Sequence, residues 1–174
     1  MSTGEGKIIV YYGKGEGKTT SSIGHAIRAL GHNKRVVIVQ FMKGRRTTGE
    51  YQFLKNIDNL QISLCGAPVF LRDESFRELH LQKAKEGLKL AQSVLREQQT
   101  DLLVLDEILY AVKFGLLTED NVLALLTMRG HTDIILSGRE PGARILEMAD
   151  IATHMEKVKH YWDETSSTTS GIEY

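Results

Sequence analysis

The chain has 174 residues, 41% hydrophobic and 25% charged, with only two prolines, the composition of one soluble globular domain large enough to bury a proper core. Lysine plus arginine equals aspartate plus glutamate at 22 each, and this balance excludes the strongly basic footprint of a nucleic-acid or membrane-surface binder. The single cysteine, Cys65, excludes an intramolecular disulfide and a cysteine-built zinc or iron–sulfur site. With no secretory signal and no apolar run near the roughly 20 residues that cross a bilayer, the setting read from the sequence is the cytoplasm.

Strand-like and helix-like segments alternate along the whole chain. "KIIVYY" (7–12) is a short β-branched run ending at a glycine cluster. In "TTSSIGHAIRALG" (19–31), Ile23, Ala26, Ile27 and Leu30 fall at helical spacing, with Gly31 as the stop. "RVVIVQF" (35–41) is a continuous apolar strand of the kind found in parallel sheets covered on both faces. A polar, glycine-bearing loop and a short helix follow, then "LQISLCG" (60–66) as an edge strand. The segment 75–98 is the clearest helix, with Leu81, Ala84, Leu88, Ala91 and Leu95 along one face. "DLLVLDE" is a strand, "TEDNVLALLTMRG" a helix capped by Thr118, and "TDIILSG" another strand. "PGARILEMAD" begins a helix with Pro141 in its first turn, and "IATHMEKV" is the last strand. The tail "DETSSTTSGIEY" reads as a polar surface loop, Asp163 and Glu173 being its charges. This pattern predicts βαβ units in a single α/β domain over residues 1–174, with a central, mostly parallel sheet flanked by helices, as in P-loop NTPase-like (RecA-like) proteins.

"YYGKGEGKTT" (11–20) carries the first chemical signal. In G-x-x-x-x-G-K-[ST] the first glycine precedes the lysine by six positions. Here that position holds Tyr12, and Gly13 comes one residue late. The context is still that of a phosphate loop. The cluster follows a strand and opens a helix, so backbone N–H groups and the positive end of a helix dipole converge on one concavity. Gly13, Lys14, Gly15, Glu16, Gly17, Lys18, Thr19 and Thr20 are the expected phosphate-binding residues, Lys18 reaching phosphate oxygens and Thr19 a magnesium ion. "LLVLDEI" (102–108) ends in two carboxylates at a strand terminus. Asp106 and Glu107 are therefore candidates to hold Mg2+ (or Mn2+) with Thr19. These residues point to nucleotide phosphates with a metal, and leave open which bond is made or broken.

Several further stretches, in order from residue 7 to residue 174, resemble the P-loop ATP:corrinoid adenosyltransferases. They are "GKGEGKTT" with the same missing residue, "RALGH", "VVIVQFMKG", Gly49-Glu50, "LLVLDEILY", "DIILSGR", "LEMAD" and "KVKHYWD…GIEY". The resemblance implies attack by a reduced Co(I) corrinoid on the 5′ carbon of ATP, with inorganic triphosphate leaving whole. It implies ATP held in reversed sense, with phosphates in the loop and the ribose carbon facing the corrinoid. ATP is then co-substrate, the corrinoid is substrate, a flavoprotein or other reductase supplies electrons, and the protein is a homodimer. Lys18, Thr19 and Glu107 are expected to carry the chemistry. Arg28 matches a family arginine and either touches the nucleotide or is a solvated helix arginine. Arg139, at a strand's carboxyl end, is placed to meet phosphate or corrinoid. On the corrinoid side the candidates are Phe70 and His160, each with a structural alternative as a core aromatic or a turn histidine.

This chain departs from the family pattern in places. Arg72 stands where a tryptophan is expected, Glu16 replaces a lysine beside the polyphosphate, and only six residues precede Lys7. Two other readings stay open on these features: a small P-loop NTPase or kinase, and a catalytically weak ATP- or corrinoid-binding paralogue.

Overall fold

Apolar runs bounded by turn residues become the strands of one sheet. A computed structural model describes residues 4–68, 74–165 and 168–172. Its strands are β1 (Ile8–Tyr12), β2 (Val36–Phe41), β3 (Leu60–Cys65), β4 (Leu102–Asp106), β5 (Asp133–Gly138) and β6 (Ile151–His154). They lie in the order β3-β2-β4-β5-β1-β6, and every neighbouring pair is parallel. The sheet expected to be mostly parallel is parallel throughout.

Alternate residues of each strand face opposite sides. Ile9, Ile38 and Val104 pack with Ala26 and Leu54 beneath α1 (Lys18–Leu30) and α2 (Gly49–Leu54). Ile8, Val39 and Leu103 pack on the other face against α3 (Arg77–Glu97), α4 (Ile108–Lys113), α5 (Glu119–Thr127) and α6 (Ala143–Met148). Burial on both faces is why these strands read as unbroken apolar runs. Fully buried side chains such as Ile38 and Leu103 each stabilise the fold by roughly 1.5–3 kcal/mol over an exposed position.

β1 and β2 are not neighbours, so α1 crosses the sheet face and packs over β4 and β5. The loop ahead of α1 therefore opens beside the carboxyl end of β4. In open parallel sheets, ligands bind at such carboxyl ends.

Local expectations fared unevenly. Thr118 caps α5 in a full capping box with Asn121, and β3 is an edge strand as expected. Gly31 caps α1 in a right-handed conformation, and the left-handed residue that turns the chain is Asn33 at φ 56°. Pro141 lies just before the N-cap Gly142, outside the first turn of α6. Helix α4 was not expected, since six residues are too few to display a helical period. The last strand stops at His154, and part of the tail forms a short helix, α7 (Trp162–Thr165).

Candidate active site

The loop between β1 and α1 is shaped by two close approaches. Gly13 adopts φ 119°, and a Cβ there would lie 2.3 Å from the Met155 carbonyl oxygen. Gly17, the N-cap of α1, takes φ 95°. Neither conformation suits a residue with a side chain. The loop is stitched to its neighbours through its own amides. Gly13 N–H donates to the Arg139 carbonyl at 3.0 Å, and Gly15 N–H to the Met155 carbonyl at 2.7 Å. Two of the amides expected to face phosphate thus hold the loop in place.

Lys18 is buried, and its Nζ donates to the Gly15 carbonyl. Burial lowers its pKa, while the carboxylate of Glu107 pulls the other way. Thr19 Oγ1 donates to Asp106 Oδ1 at 3.0 Å. Asp106 is wholly buried at the end of β4 and gathers a dense set of partners. Ser137 Oγ donates to Oδ1 at 2.6 Å, Gln40 Nε2 to Oδ2 at 3.0 Å, and Lys43 Nζ lies 3.1 Å from Oδ2. Burial alone would raise the Asp106 pKa. The Lys43 charge and the hydrogen bonds from Ser137, Lys43 and Gln40 outweigh it and hold the carboxyl below its usual range.

Glu107 follows in a left-handed conformation, φ 62°, and its N–H donates to Ser137 Oγ at 2.8 Å. Burial, reinforced by the neighbouring Asp106, pushes its pKa up to about 7. Lys43 also pairs with Glu50 at 3.2 Å and keeps its charge because both acids outweigh its burial.

Lys18, Thr19, Lys43, Glu50 and Glu107 line a cleft of about 680 Å³, while Asp106, Gln40 and Ser137 are wholly buried and do not line it. Its inner wall is Glu16 to Thr20 with Glu107, and Lys43, Gly49 and Glu50 form a second side. Ile23, Gly24 and Ile27 of α1 and Gly171 and Ile172 of the tail supply an apolar side.

The expected nucleotide set is divided by the loop. Glu16, Gly17, Lys18, Thr19, Thr20 and Glu107 line this cleft, whereas Gly13, Lys14 and Arg139 line a separate one of about 440 Å³ behind it. Arg28 is exposed in the last turn of α1 and lines neither. His160 pairs with Glu16 and lines neither cleft. Phe70 and Arg72 lie outside the described residues. Cys65 is buried against Gly87 of α3, and burial raises its thiol to about 11, so it behaves as a small core residue. Sequence reading missed Gln40, Lys43 and Ser137. A signal was present for Gln40 and Ser137: a polar residue near the carboxyl end of an otherwise apolar strand.

Among the described residues no three His, Cys, Asp or Glu side chains cluster as a metal cage. Thr19, Asp106 and Glu107 offer hard oxygen atoms, which suits a Mg2+ ion that arrives with phosphate ligands of its own. Thr19 Oγ1 and Asp106 Oδ1 already lie 3.0 Å apart beside the loop.

A parallel sheet, a glycine loop opening a helix, a buried lysine and an acid at the end of β4 define a phosphate-loop nucleotide-binding protein. Residues 4–174 match the family described as ATP:corrinoid adenosyltransferase BtuR/CobO/CobP. The chain is 36% identical over 171 residues to a corrinoid adenosyltransferase of Escherichia coli (strain K12), covering 97% of this chain and 86% of the relative. It is 34% identical over 171 residues to corrinoid adenosyltransferase CobA of Salmonella typhimurium, covering 97% and 86%. The relative from Pseudomonas aeruginosa, also a corrinoid adenosyltransferase, is 33% identical with 97% and 84% covered. The chain belongs to the ATP:corrinoid adenosyltransferase family.

Proposed function

We propose that the protein, as a corrinoid adenosyltransferase, joins the 5′ carbon of ATP to the Co(I) centre of a reduced corrinoid and releases inorganic triphosphate. The observation that carries this reading is the family match over residues 4–174, joined to a cleft lined by Lys18, Thr19 and Glu107, with Thr19 bonded to the buried Asp106 beneath it. Cobalt supplies the electron pair, the C5′–O bond breaks, and that bond's pair leaves with the triphosphate. No water needs activating. The protein's task is to hold two reactants in line and to neutralise the leaving charge.

Lys18 is the main neutralising group, and leaving its own Gly15 carbonyl for a phosphate oxygen costs it one hydrogen bond. Thr19, Asp106 and Glu107 would hold Mg2+ (or Mn2+), which adds positive charge at the phosphates when bound. Lys43, tied to Asp106 and Glu50, adds a fixed charge at the cleft wall. The reading also takes residues 1–174 as a single domain and the protein as a homodimer in the cytoplasm, with a flavoprotein or other reductase as electron donor. These points rest on the family resemblance. Among the described residues no helix is long and apolar enough to cross a membrane.

The test is an anaerobic assay with ATP, magnesium and chemically reduced cobalamin, following the cobalt–carbon product by absorbance and the released phosphate species by chromatography. Adenosylcobalamin and triphosphate in equal amounts are expected. One observation favours a second reading: Glu107, with a pKa near neutrality on the cleft wall, has the properties of a water-activating base. ATP consumed to ADP and phosphate without corrinoid would select that NTPase reading. ATP binding with no product from any corrinoid would leave a binding paralogue.

A further inference from the structure

Glu16 places a carboxylate inside the phosphate loop, and a carboxylate beside a polyphosphate is unfavourable unless something holds it aside. The structure supplies a holder. Glu16 Oε1 lies 2.6 Å from His160 Nε2, and the His160 side chain is only 14% exposed. On the ring's other side, the backbone N–H of Trp162 donates to Nδ1 at 3.0 Å. An Nδ1 that accepts leaves the ring proton on Nε2, where it is donated to Glu16. The imidazole is thus oriented from within its own turn before it meets the loop.

From His160 a path of contacts leads to the cleft wall. The adjacent Tyr161 donates its hydroxyl to Thr169 Oγ1 at 3.2 Å, and the Thr169 carbonyl accepts from Ile172 N–H at 3.2 Å. Ile172 stands at the cleft and is 75% exposed. The other apolar lining comes from Ile23 and Ile27 on α1, separated by Gly24, beside which a Cβ would meet nothing within 4 Å. Residues 20, 23, 24 and 27 form a single helical stripe leading away from Lys18. An exposed isoleucine completing that apolar surface gains burial only when a ligand enters.

We propose that Glu16 is a positioning residue: by accepting a hydrogen bond from His160 it ties the tail to the phosphate loop and holds Ile172 in place as a wall of the substrate cleft. The proposal rests on reading this cleft as the ATP site. Trp162 is the only tryptophan in the chain and sits within the clasp, so its fluorescence reports the tail independently of turnover.

The test compares wild type with Glu16→Ala, Glu16→Gln and Ile172→Ala in the full chain, each checked for native circular dichroism. The measurements are Trp162 emission, and KM for ATP and kcat with reduced cobalamin. Glu16→Ala should red-shift the emission and raise KM roughly ten-fold, the lower end for losing a hydrogen bond to a charged group, with kcat changed less than about two-fold. Glu16→Gln, whose amide oxygen still accepts, should restore both. Ile172→Ala should raise KM without moving the emission. Emission and KM unchanged in Glu16→Ala would overturn the proposal, as would a lower KM, the sign expected if Glu16 acts only by repelling phosphate. Glu16→Gln behaving like the alanine variant would overturn it too. If the wild type forms no adenosylated product, the adenosyltransferase reading fails, and KM is replaced by the dissociation constant of magnesium ATP in deciding the clasp alongside the emission.

Discussion

The two flanks of the phosphate loop are built on different principles, although adjacent residues of one motif form both. On the flank of Lys18 and Thr19, charge is buried and mutually bonded: Asp106 alone meets Thr19, Ser137, Gln40 and Lys43. On the flank of Gly13 and Gly15, the contacts are backbone to backbone, and the side chains of Lys14 and Glu140 stand exposed beside the second cleft. The first flank is pre-arranged for a charged ligand, since its groups need little reorganisation when phosphate arrives. The second anchors the loop to β5 and β6 so that the first can keep its geometry.

Substitutions should separate the two flanks sharply. Asp106→Ala should have the largest effect, because it leaves the partly buried Lys43 with Glu50 alone and three donors without their shared acceptor. A loss of roughly 3–5 kcal/mol is expected in denaturant unfolding, with turnover gone. Asp106→Asn, which keeps the shape and one acceptor, should lose less. A fully stable alanine variant would mean that the network does not hold this flank together.

Lys18→Ala comes next and acts on chemistry. The only described hydrogen bond of its ammonium group is to a loop carbonyl, so the fold should survive while kcat falls by roughly a hundred-fold or more through lost charge neutralisation. Near-normal turnover would remove the loop from the mechanism.

The third effect is a pH dependence of stability. In metal-free protein Glu107 titrates at about 7, against an ordinary 4.5, so between these values the folded state binds more protons than the unfolded one. Stability from this group is fully present below about pH 4.5 and is lost as pH rises through 7. Urea unfolding across this range should show wild type losing stability relative to Glu107→Gln as pH rises, because the glutamine does not titrate. Parallel curves would mean that Glu107 titrates normally.

The smallest effect belongs to the anchoring flank. Lys14→Ala removes an exposed charge from the second cleft and should change KM for ATP by no more than about three-fold, much less than the corresponding change at Lys18. An effect as large as that of Lys18→Ala would place phosphate on both flanks and erase the distinction.

Much of this molecule is legible along the chain. Continuous apolar runs such as "VVIVQF" cannot be half-exposed strands, so they call for a sheet covered on both faces, and the helices between them supply the cover. The glycines around Lys18 mark the loop because only glycine tolerates Gly17's backbone and the carbonyl pressed against Gly13. Thr118 announces its helix because a side-chain cap is a contact over three residues.

What tertiary structure alone decided are contacts between residues far apart in the chain. Gln40, Asp106 and Ser137 meet because β2, β4 and β5 are neighbours in register. Strand order is settled by how helices pack across the whole sheet, which no local pattern records. The division of the loop into a chemical and an anchoring flank depends on where β6 leaves the sheet, and the Met155 carbonyl is invisible to any reading of side chains. Glu16 shows the limit most plainly. By itself it is a misplaced charge beside a phosphate site, and only the fold, by returning His160 to within 2.6 Å, gives that charge a partner. Residue type and spacing determine local geometry and burial, whereas an electrostatic contact depends on distance in space, which the folded chain alone defines.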